Sequence, residues 1–564
     1  MVSSLFLFIL FIHLFFSIQG ISEKFLNGHQ GFNGALRSTI GRNYLRYGFW
    51  GTGFKPLKNT GLKNSDDKLL VHWHHPPLVH MLVGVSFYFF GEKESSTRLV
   101  PLFFSLLSFF LIFELVRKRY GWPSALASIA FFSLFPLQIE YGKMANYEPL
   151  VVAFSLLGIF FLLRYKTKSV NRLPGGKFDL AAMIFSFGLA GFTDWPGFII
   201  AGVAGFYLLL GKKQNFYAFG LLALSMTVLL LFSFYWLNSN SEHDGLWGLA
   251  KYRAGMGSIK VSYTMLATRT WLRLRDYIGF LALLPGIIWF LVHLIRKKSI
   301  DPLVFIFTFS TLIYFAAFKA GAWIHVFFLY YILPAAAVIC GVGAVYCTKQ
   351  IFKQAQKLDK FLRKIFPDKL NNFLNYFPVT KLLPILLVTF WFFFLTLQQS
   401  QIINKAKLIS YGVRSSTPTG SALPFKGRLD VAILADFINS ITTLKDLVII
   451  HRASNSSPQL RYYLDRKTRR TYSSRIPPKG DVFLIPQRKL TKSQIRKLLN
   501  NYHVYQMLRY LIVDLRKNVP SFRSYSFKTY PANWSWSFFH SIFYPPWKMI
   551  FDFDKTENFK KRLK

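Results

Sequence analysis

The sequence predicts an α-helical polytopic membrane protein of about eleven transmembrane helices plus interfacial helices, with a small C-terminal α/β extramembrane domain. The 564-residue chain is 52% hydrophobic and has a positive mean hydropathy of +0.29 despite a formal net charge of +44. Apolar blocks recur along the chain, with charged residues between them. Their lengths approach the roughly 20 residues that a helix needs to span a membrane. Basic loops between spans follow the positive-inside rule, so this charge does not indicate nucleic-acid binding.

Eleven apolar segments are predicted to cross the membrane. They are Leu5–Ile18, Leu99–Val116, Ser124–Ile139, Leu150–Leu163, Leu180–Phe192, Gly197–Leu210, Phe216–Leu237, Tyr277–Leu294, Leu303–Ala317, Ile324–Tyr346 and Leu382–Leu397. The first of them lies in an apolar run without a positive N-terminal region or a clear cleavage pattern, so it is expected to be a retained span rather than a signal peptide.

The apolar segment Pro76–Phe90 is ambiguous, and the loop charges decide its placement. If it crossed the membrane, every later Lys/Arg cluster, from residues 117–119 to residues 349–381, would lie outside the cell. The bias of these residues toward the cytoplasm therefore places Pro76–Phe90 along the outer membrane surface. Residues 21–97 then form one long external loop.

A second interfacial helix is predicted in the stretch Asn27–Trp50 of this loop. Leu36, Ile40 and Tyr44 share one helical face, which is expected to enter lipid, while arginines elsewhere on the surface reach head-group level. These arginines are Arg37, Arg42 and Arg46. The alternative is a surface anchor that only steadies the first span.

Several ionisable or polar residues are predicted to gather at the external face. Such groups at span ends are costly without a partner or a task, so their convergence indicates a site. The residues are His29, Asn33, His75, Glu148, Asp194, His243, Asp244 and His325. Each taken singly is also compatible with a solvated loop residue.

Three short motifs contain the candidate residues. In YGKMANYEPL, Glu148 precedes a proline at a predicted helix start, where the helix dipole alone would favour a carboxylate. In VHWHHPPL (residues 71–78), the histidines lack i, i+4 spacing, so zinc is not favoured and the metal is left unknown. In KAGAWIHVFFLYYILP, Lys319 and His325 lie at the start of a span.

The order of these motifs carries a family resemblance. The first-loop helix ends in RNYLRYG and is followed by HPPL, FG…E…RL, RYG, YEPL and K…H…YYILP. Over roughly residues 1–345, the chain resembles the polyprenyl-phosphate-sugar-dependent glycosyltransferases of the GT-C superfamily. The resemblance is to the protein mannosyltransferase and aminoarabinose transferase branch, similar to glycosyltransferase family 39.

The resemblance implies roles for particular residues. Glu148 matches an acid that serves acceptor activation, His75 a position near the lipid phosphate, and Lys319 a lysine before the YILP helix. The first-loop acid of the family falls at or near Asn33, which cannot take a proton. Either His29 replaces that acid as the base, or Glu148 acts alone, or the chemistry is altered.

The remaining candidates were assigned by their place in the predicted topology. His325 is grouped with the donor-phosphate residues, and Asp194, His243 and Asp244 with an acceptor or loop site. The expected partners are a polyprenyl-phosphate sugar donor, membrane lipids and an unknown acceptor. The residues indicate no definite cofactor, and a divalent metal is left open.

The sequence thus predicts a multi-pass glycosyltransferase of the cell (plasma or inner) membrane, with its active site on the external side. A lipid-linked-sugar transporter or flippase is the alternative, although mid-span charges and paired broken helices are not found. A non-catalytic lipid-linked-sugar binder is the third hypothesis, which Asn33 keeps open.

The predicted domains are a membrane-embedded glycosyltransferase domain, residues 1–400, and an external soluble α/β domain, residues 401–564. In the latter, Leu429–Ile441 is predicted as an amphipathic helix, and Asp446–His451 and Asp481–Pro486 as strands. Thr491 and Gln494 have the spacing of a capping box. The two cysteines, Cys340 and Cys347, are expected to be ordinary helix residues without a disulfide.

Overall fold

The structure is a computed structural model and is mostly helical. It describes residues 2–25, 28–62, 69–171, 174–210, 215–239, 245–257, 260–296, 300–365, 429–451, 458–475, 477, 480–507, 510–517, 519–526 and 554–555. The predicted span Leu382–Leu397 and the predicted domain boundary at residue 400 lie outside these residues.

Fifteen helices precede residue 366 in the described part of the chain. They are α1 Val2–Ile18, α2 Gly28–Gly51, α3 Leu78–Phe90, α4 Glu94–Leu134, α5 Pro136–Tyr141, α6 Glu148–Asn171, α7 Gly176–Thr193, α8 Pro196–Leu209, α9 Asn215–Asn238, α10 Gly245–Arg253, α11 Tyr263–Tyr277, α12 Phe280–Ile295, α13 Pro302–Ala317, α14 Lys319–Ile324 and α15 Leu333–Ile365. A 3-10 helix, Val326–Ile332, joins α14 to α15.

Helices and strands alternate in the described C-terminal residues. The helices are α16 Leu429–Ile441, α17 Pro458–Leu464 and α18 Lys492–Asn501, with a 3-10 turn at Gln487–Lys489. The strands are β1 Leu447–His451, β2 Lys467–Thr471, β3 Val482–Pro486, β4 His503–Met507, β5 Tyr510–Asp514, β6 Ser521–Ser526 and β7 Asp554–Lys555.

The chain divides into two compact units, each built from separate stretches. We call residues 1–19, 73–79 and 99–424 the membrane unit, and residues 20–72, 80–98 and 425–564 the loop–sheet unit. Most of the first loop therefore groups with the C-terminal residues.

Long apolar helices make up the membrane unit and give the protein its multi-pass character. Among the described helices, four are long and apolar enough to cross a membrane, or five if the bent pair α11 and α12 forms one span. Helix α4 contains the predicted span Leu99–Val116 and the first part of Ser124–Ile139, and it has a break at Gly121, where φ is +81°, a value that favours glycine. Shorter apolar helices include α1, α3, α8 and α13.

Ion pairs join helix ends within the membrane unit. Arg119 in α4 pairs with Asp301, which precedes α13, at 3.0 Å. Lys168 near the end of α6 pairs with buried Asp179 near the start of α7 at 2.8 Å. These residues belong to, or adjoin, the clusters predicted to be cytoplasmic.

The sheet of the loop–sheet unit has the strand order β2-β1-β3-β5-β4-β6-β7, with parallel and antiparallel neighbours. Its central strands are apolar on both faces because helices cover both. Val448, Leu484 and Ile512 pack in a cluster with α16 and α17. The alternate residues of these strands pack in another cluster with α18.

Helix α2 forms as predicted, but its environment differs from the expectation. Ile40 and Tyr44 are buried, and α3 approaches so closely that a Cβ on Gly41 would lie 2.5 Å from Val83 Cγ1. The prediction that the arginines of this helix lie at its surface is wrong for Arg37 and Arg42, which are 3% and 5% exposed. Their charged groups contact protein side chains, which a hydropathy pattern does not reveal.

Candidate functional site

A histidine and an aspartate predicted for different roles meet in the membrane unit. His75 follows Trp73 and His74 just before α3, and Asp194 ends α7 with its backbone extended. His75 Nδ1 lies 2.7 Å from Asp194 Oδ1, and both residues are buried. The backbone N–H of Trp195 donates to the same carboxylate oxygen at 2.8 Å, and the Trp195 indole donates to His74 O at 3.0 Å. The start of α8 thus fixes both sides of the contact.

Arg253, one of several cations between α9 and α12 in the sequence, completes this cluster. It ends helix α10, and its Nη2 lies 3.2 Å from His75 Nε2. The imidazole therefore has a carboxylate at one nitrogen and a guanidinium at the other. The Tyr147 ring stacks on the same imidazole, with 4.2 Å between ring centroids. Tyr147 directly precedes Glu148, so the cluster adjoins the candidate base.

Glu148 is the first residue of α6 and is 1% exposed. Its Oε1 accepts a hydrogen bond from Asn146 Nδ2 at 3.1 Å. Because α6 has 24 residues and rises about 1.5 Å per residue, its ends are about 36 Å apart. Glu148 and the ion-paired Lys168 are therefore near opposite ends of one helix, with the His75 cluster at the Glu148 end.

Lys319 begins α14 beside the end of α10. Gly255 has a φ of +87°, a value that favours glycine, and a Cβ there would lie 3.0 Å from Lys319 Cε. Lys319 Nζ lies 4.9 Å from the centroid of the Tyr263 ring. A Cβ on Gly321 in the same helix would lie 3.6 Å from Arg253 Cγ. The structure thus brings Lys319 into the neighbourhood of Arg253.

His325 follows α14 and is packed among aromatic rings. The centroids of Phe327 and Phe328 lie 4.9 and 5.4 Å from its own ring. Arg273, which is 1% exposed, donates to the carbonyls of Ala322 and Trp323 at 2.5 and 2.9 Å and so holds the end of α14. His325 is therefore held in place by packing against aromatic rings, as a structural residue would be.

Two buried tyrosine hydroxyls also belong to this region and were missed. Tyr331, in YYILP, is 1% exposed and within electrostatic range of Glu148 and Asp194. Tyr314 in α13 packs edge-on against it at 5.7 Å between ring centroids. An aromatic-rich span resembles an ordinary interface belt in sequence, so no signal separated these hydroxyls from their neighbours.

Glu140 is a further carboxyl that the sequence analysis passed over. It lies in α5, directly after the predicted third span. Burial raises its pKa to about 7, against the opposing effects of a hydrogen bond from Tyr141 and the charge of Lys143. A carboxyl with such a pKa can exchange a proton near neutral pH. Its position just ahead of the YGKMANYEPL motif was the available signal.

The first-loop candidates belong to the loop–sheet unit. Asn33 lies in α2 and is 8% exposed. His29 is in the same helix, but its side chain is outside the described residues, as are His243 and Asp244. Within the described part of the chain, no group of three His, Cys, Asp or Glu residues could hold a metal ion.

Comparisons agree with this architecture. The family described as dolichyl-phosphate-mannose-protein mannosyltransferase matches residues 74–236, a stretch that contains His75, Glu148 and Asp194. The fold is similar to that of ArnT from Cupriavidus metallidurans bound to undecaprenyl phosphate, with a TM-score of 0.55 and 14% identity over 92% of this chain and 98% of that chain. The apo state of the same protein gives a TM-score of 0.50 at 14% identity, covering 92% and 97%.

The archaeal oligosaccharyltransferase AglB from Archaeoglobus fulgidus, in complex with an inhibitory peptide and a dolichol-phosphate, gives a TM-score of 0.47 at 11% identity, covering 83% and 64%. No curated protein sequence matches this chain. The protein is a multi-pass helical membrane protein whose fold is similar to that of ArnT. The predicted resemblance to the polyprenyl-phosphate-sugar-dependent glycosyltransferases of the GT-C superfamily is confirmed.

Proposed function

We propose that this protein is a glycosyltransferase that transfers a sugar from a polyprenyl-phosphate-linked donor to an acceptor at the external face of the membrane. The observation that carries the proposal is the buried Asp194–His75–Arg253 cluster beside the Tyr147–Glu148 turn. It places an imidazole and a guanidinium near a carboxylate, and His75, Asp194 and Glu148 lie within the stretch matched by the mannosyltransferase family. ArnT with undecaprenyl phosphate supports a lipid-phosphate ligand for this fold.

In this reaction, Glu148 takes the proton of an acceptor hydroxyl as that oxygen bonds to the sugar carbon. The bond between sugar and phosphate oxygen breaks, and polyprenyl phosphate leaves with the electron pair. Cationic groups stabilise the charge that develops on the phosphate. His75 and Lys319, with His325 nearby, are the proposed donor-phosphate residues. Asp194, and His243 and Asp244 in the following loop, are assigned to the acceptor side or to support of the phosphate site.

The first loop contributes Asn33 where the family has an acid. His29 is the proposed second base, because its imidazole can accept the proton that an asparagine cannot. Eleven spans, an external active site and an external C-terminal α/β domain beyond residue 400 complete the proposal. The ion pairs Arg119–Asp301 and Lys168–Asp179 support this sidedness, since they group the basic clusters at helix ends away from Glu148.

The test is to incubate the purified protein with polyprenyl-phosphate sugars and candidate acceptors and to measure released polyprenyl phosphate. Glu148→Gln keeps the oxygen that accepts from Asn146, so the fold and donor binding should persist while the rate falls about 100-fold or more. His29→Gln is the companion variant. Full activity of Glu148→Gln would remove the catalytic assignment. Donor binding without release by the wild type would favour a transporter or a non-catalytic binder.

A further inference from the structure

Asp194 has two donors directed at one carboxylate oxygen. The Trp195 backbone N–H lies 2.8 Å from Asp194 Oδ1, and His75 Nδ1 lies 2.7 Å from the same atom. A carboxylate only accepts hydrogen bonds, so the His75 proton must be on Nδ1. Asp194 is 2% exposed, and its backbone is extended at the end of α7. The hydrogen bond from the Trp195 backbone, at the start of α8, fixes the position of its carboxylate.

The other nitrogen of His75 faces a donor. Arg253 Nη2 lies 3.2 Å from His75 Nε2, and a guanidinium can only donate. This geometry fits an imidazole that donates from Nδ1 to Asp194 and accepts at Nε2 from Arg253. The Tyr147 ring, stacked at 4.2 Å, fixes the plane of the imidazole. The ring is thus constrained at both nitrogens and on one face.

Arg253 is held by an imidazole rather than by a carboxylate. In the described part of the chain, its hydrogen bond is to His75, and no acidic side chain forms an ion pair with it. The guanidinium is half-buried and has five N–H donors, of which the imidazole nitrogen uses one. A planar guanidinium with free donors matches the geometry of a phosphate group.

We propose that Asp194 and His75 are positioning residues that hold Arg253 for the phosphate group of the lipid donor. Asp194 acts through the His75 ring, and Arg253 makes the contact with the ligand. This inference rests on the proposed function and changes the role of His75 from phosphate ligand to support. It also moves Asp194 from the acceptor side to the donor side of the site.

Undecaprenyl phosphate is the probe, with its affinity for the full-length protein in lipid nanodiscs as the measurement. Arg253→Gln should weaken binding about tenfold or more, since it removes a charge-assisted contact. Asp194→Asn should weaken binding in the same direction, because the neutral amide oxygen is a weaker acceptor for the His75 N–H than the carboxylate and holds the ring less firmly. In turnover, both variants should raise the donor KM more than they lower kcat. Arg275→Gln, which changes an exposed arginine in the last turn of α11, is the control and should bind like the wild type.

A second pair of variants separates positioning from a merely structural role. In His75→Gln, the amide oxygen replaces Nε2 as the acceptor for Arg253, while the link to Asp194 is lost. This variant should bind the probe better than His75→Ala. Adding Asp194→Asn to His75→Gln should then cause no further loss of affinity, because the two residues act in series.

Two outcomes would overturn the inference and leave the proposed function standing. One is wild-type affinity in Arg253→Gln, and the other is a full additional loss of affinity when Asp194→Asn is added to His75→Gln. Wild-type protein that neither binds undecaprenyl phosphate nor releases it from a sugar donor would overturn both. Thermal unfolding of each variant shows whether it has folded. If Asp194→Asn fails to fold, half-buried Arg253→Gln and the two His75 variants still decide the matter.

Discussion

The guanidinium of Arg42 lies 2.9 Å from the carboxylate of Asp465, which joins first-loop helix α2 to the residue after α17. Arg46, one turn further along α2, contacts the same carboxylate, and Glu92 contacts Arg42 from the other side. The Arg42 guanidinium also lies over the Tyr462 ring at 4.5 Å. Since the side chains of Arg42 and Asp465 are only 6% and 15% exposed, removing one of them would leave the other charge buried without its partner.

Asp465→Asn should lower the free energy of unfolding of the loop–sheet unit by about 3 kcal/mol, because removing one partner leaves buried positive charge without its counter-charge. Limited proteolysis and thermal unfolding of the purified protein measure the effect. The control is Asp436→Asn, which breaks a 3.8 Å pair with Lys24 whose side chains are 45% and 42% exposed. That change should cost less than about 1 kcal/mol. Equal losses of unfolding free energy in Asp465→Asn and Asp436→Asn would contradict the importance of the buried ion pairs of Asp465.

The same carboxylate should make stability depend on acid pH. Burial raises the pKa of Asp465, but the hydrogen bond from Arg46 and the charges of Arg42 and Arg46 outweigh it, so the pKa lies below 3.8. A lowered folded-state pKa gives stability that is complete above the unfolded value and is lost as pH falls through the folded value. The wild type should therefore lose unfolding temperature below about pH 4 more steeply than Asp465→Asn. Unfolding temperatures that fall equally with pH in the wild type and in Asp465→Asn would count against the ion pairs of Asp465.

Arg273→Ala should destabilise the membrane unit by about 3 kcal/mol, since the buried guanidinium satisfies carbonyls at the end of α14. The readout is the unfolding temperature in detergent. The neighbouring Arg275 is 51% exposed and pairs with Asp276, so Arg275→Ala should change stability by less than about 0.5 kcal/mol. A wild-type unfolding temperature for Arg273→Ala would show that water replaces these hydrogen bonds without cost.

Lys319→Ala should weaken undecaprenyl phosphate binding about tenfold, because a cation beside a phosphate is worth more at a membrane interface than in bulk water. Lys319→Arg retains the charge and should lose much less affinity. Tyr263→Leu removes the ring near Lys319 Nζ and should lower the binding free energy by only about 0.5–1 kcal/mol. Equal losses for Lys319→Ala and Lys319→Arg would point to shape rather than charge.

The predicted topology can be tested by cysteine labelling after replacement of Cys340 and Cys347. Tyr88 in α3 is 74% exposed, and Lys357 near the end of α15 is also exposed. A membrane-impermeant maleimide should label Tyr88→Cys in intact cells, and Lys357→Cys only after permeabilisation. Labelling of Lys357→Cys in intact cells would reverse the proposed sidedness and remove the active site from the external face.

Local sequence signals predicted many elements because they depend on neighbouring residues. Glu148 begins α6 as the dipole and proline argument required, and Leu429–Ile441 is the helix α16. Strands β1 and β3 begin one residue later than predicted, at Leu447 and Val482. The Thr491–Gln494 capping box is present with both hydrogen bonds.

Contacts between distant residues were beyond the sequence. His75 and Asp194 are 119 positions apart, and their separate motifs gave no reason to pair them. Helical periodicity placed Arg42 away from the apolar face of α2, but it could not show that Glu92 and Asp465 cover that side. Arg253 looked like one of many loop cations, since its significance depends on the imidazole it contacts.

The discontinuous composition of the loop–sheet unit has a consequence for biosynthesis. Residues 20–72 are made near the beginning of translation, whereas the sheet that shares their unit comes from residues after 425. Glu92 can pair with Arg42 early, but Asp465, which contacts both Arg42 and Arg46, comes only with the final part of the chain, so the network of the early loop is completed late. A ribosome that stops before Asp465 would release a protein with its spans synthesised and its first loop unassembled, a natural target for quality-control proteases.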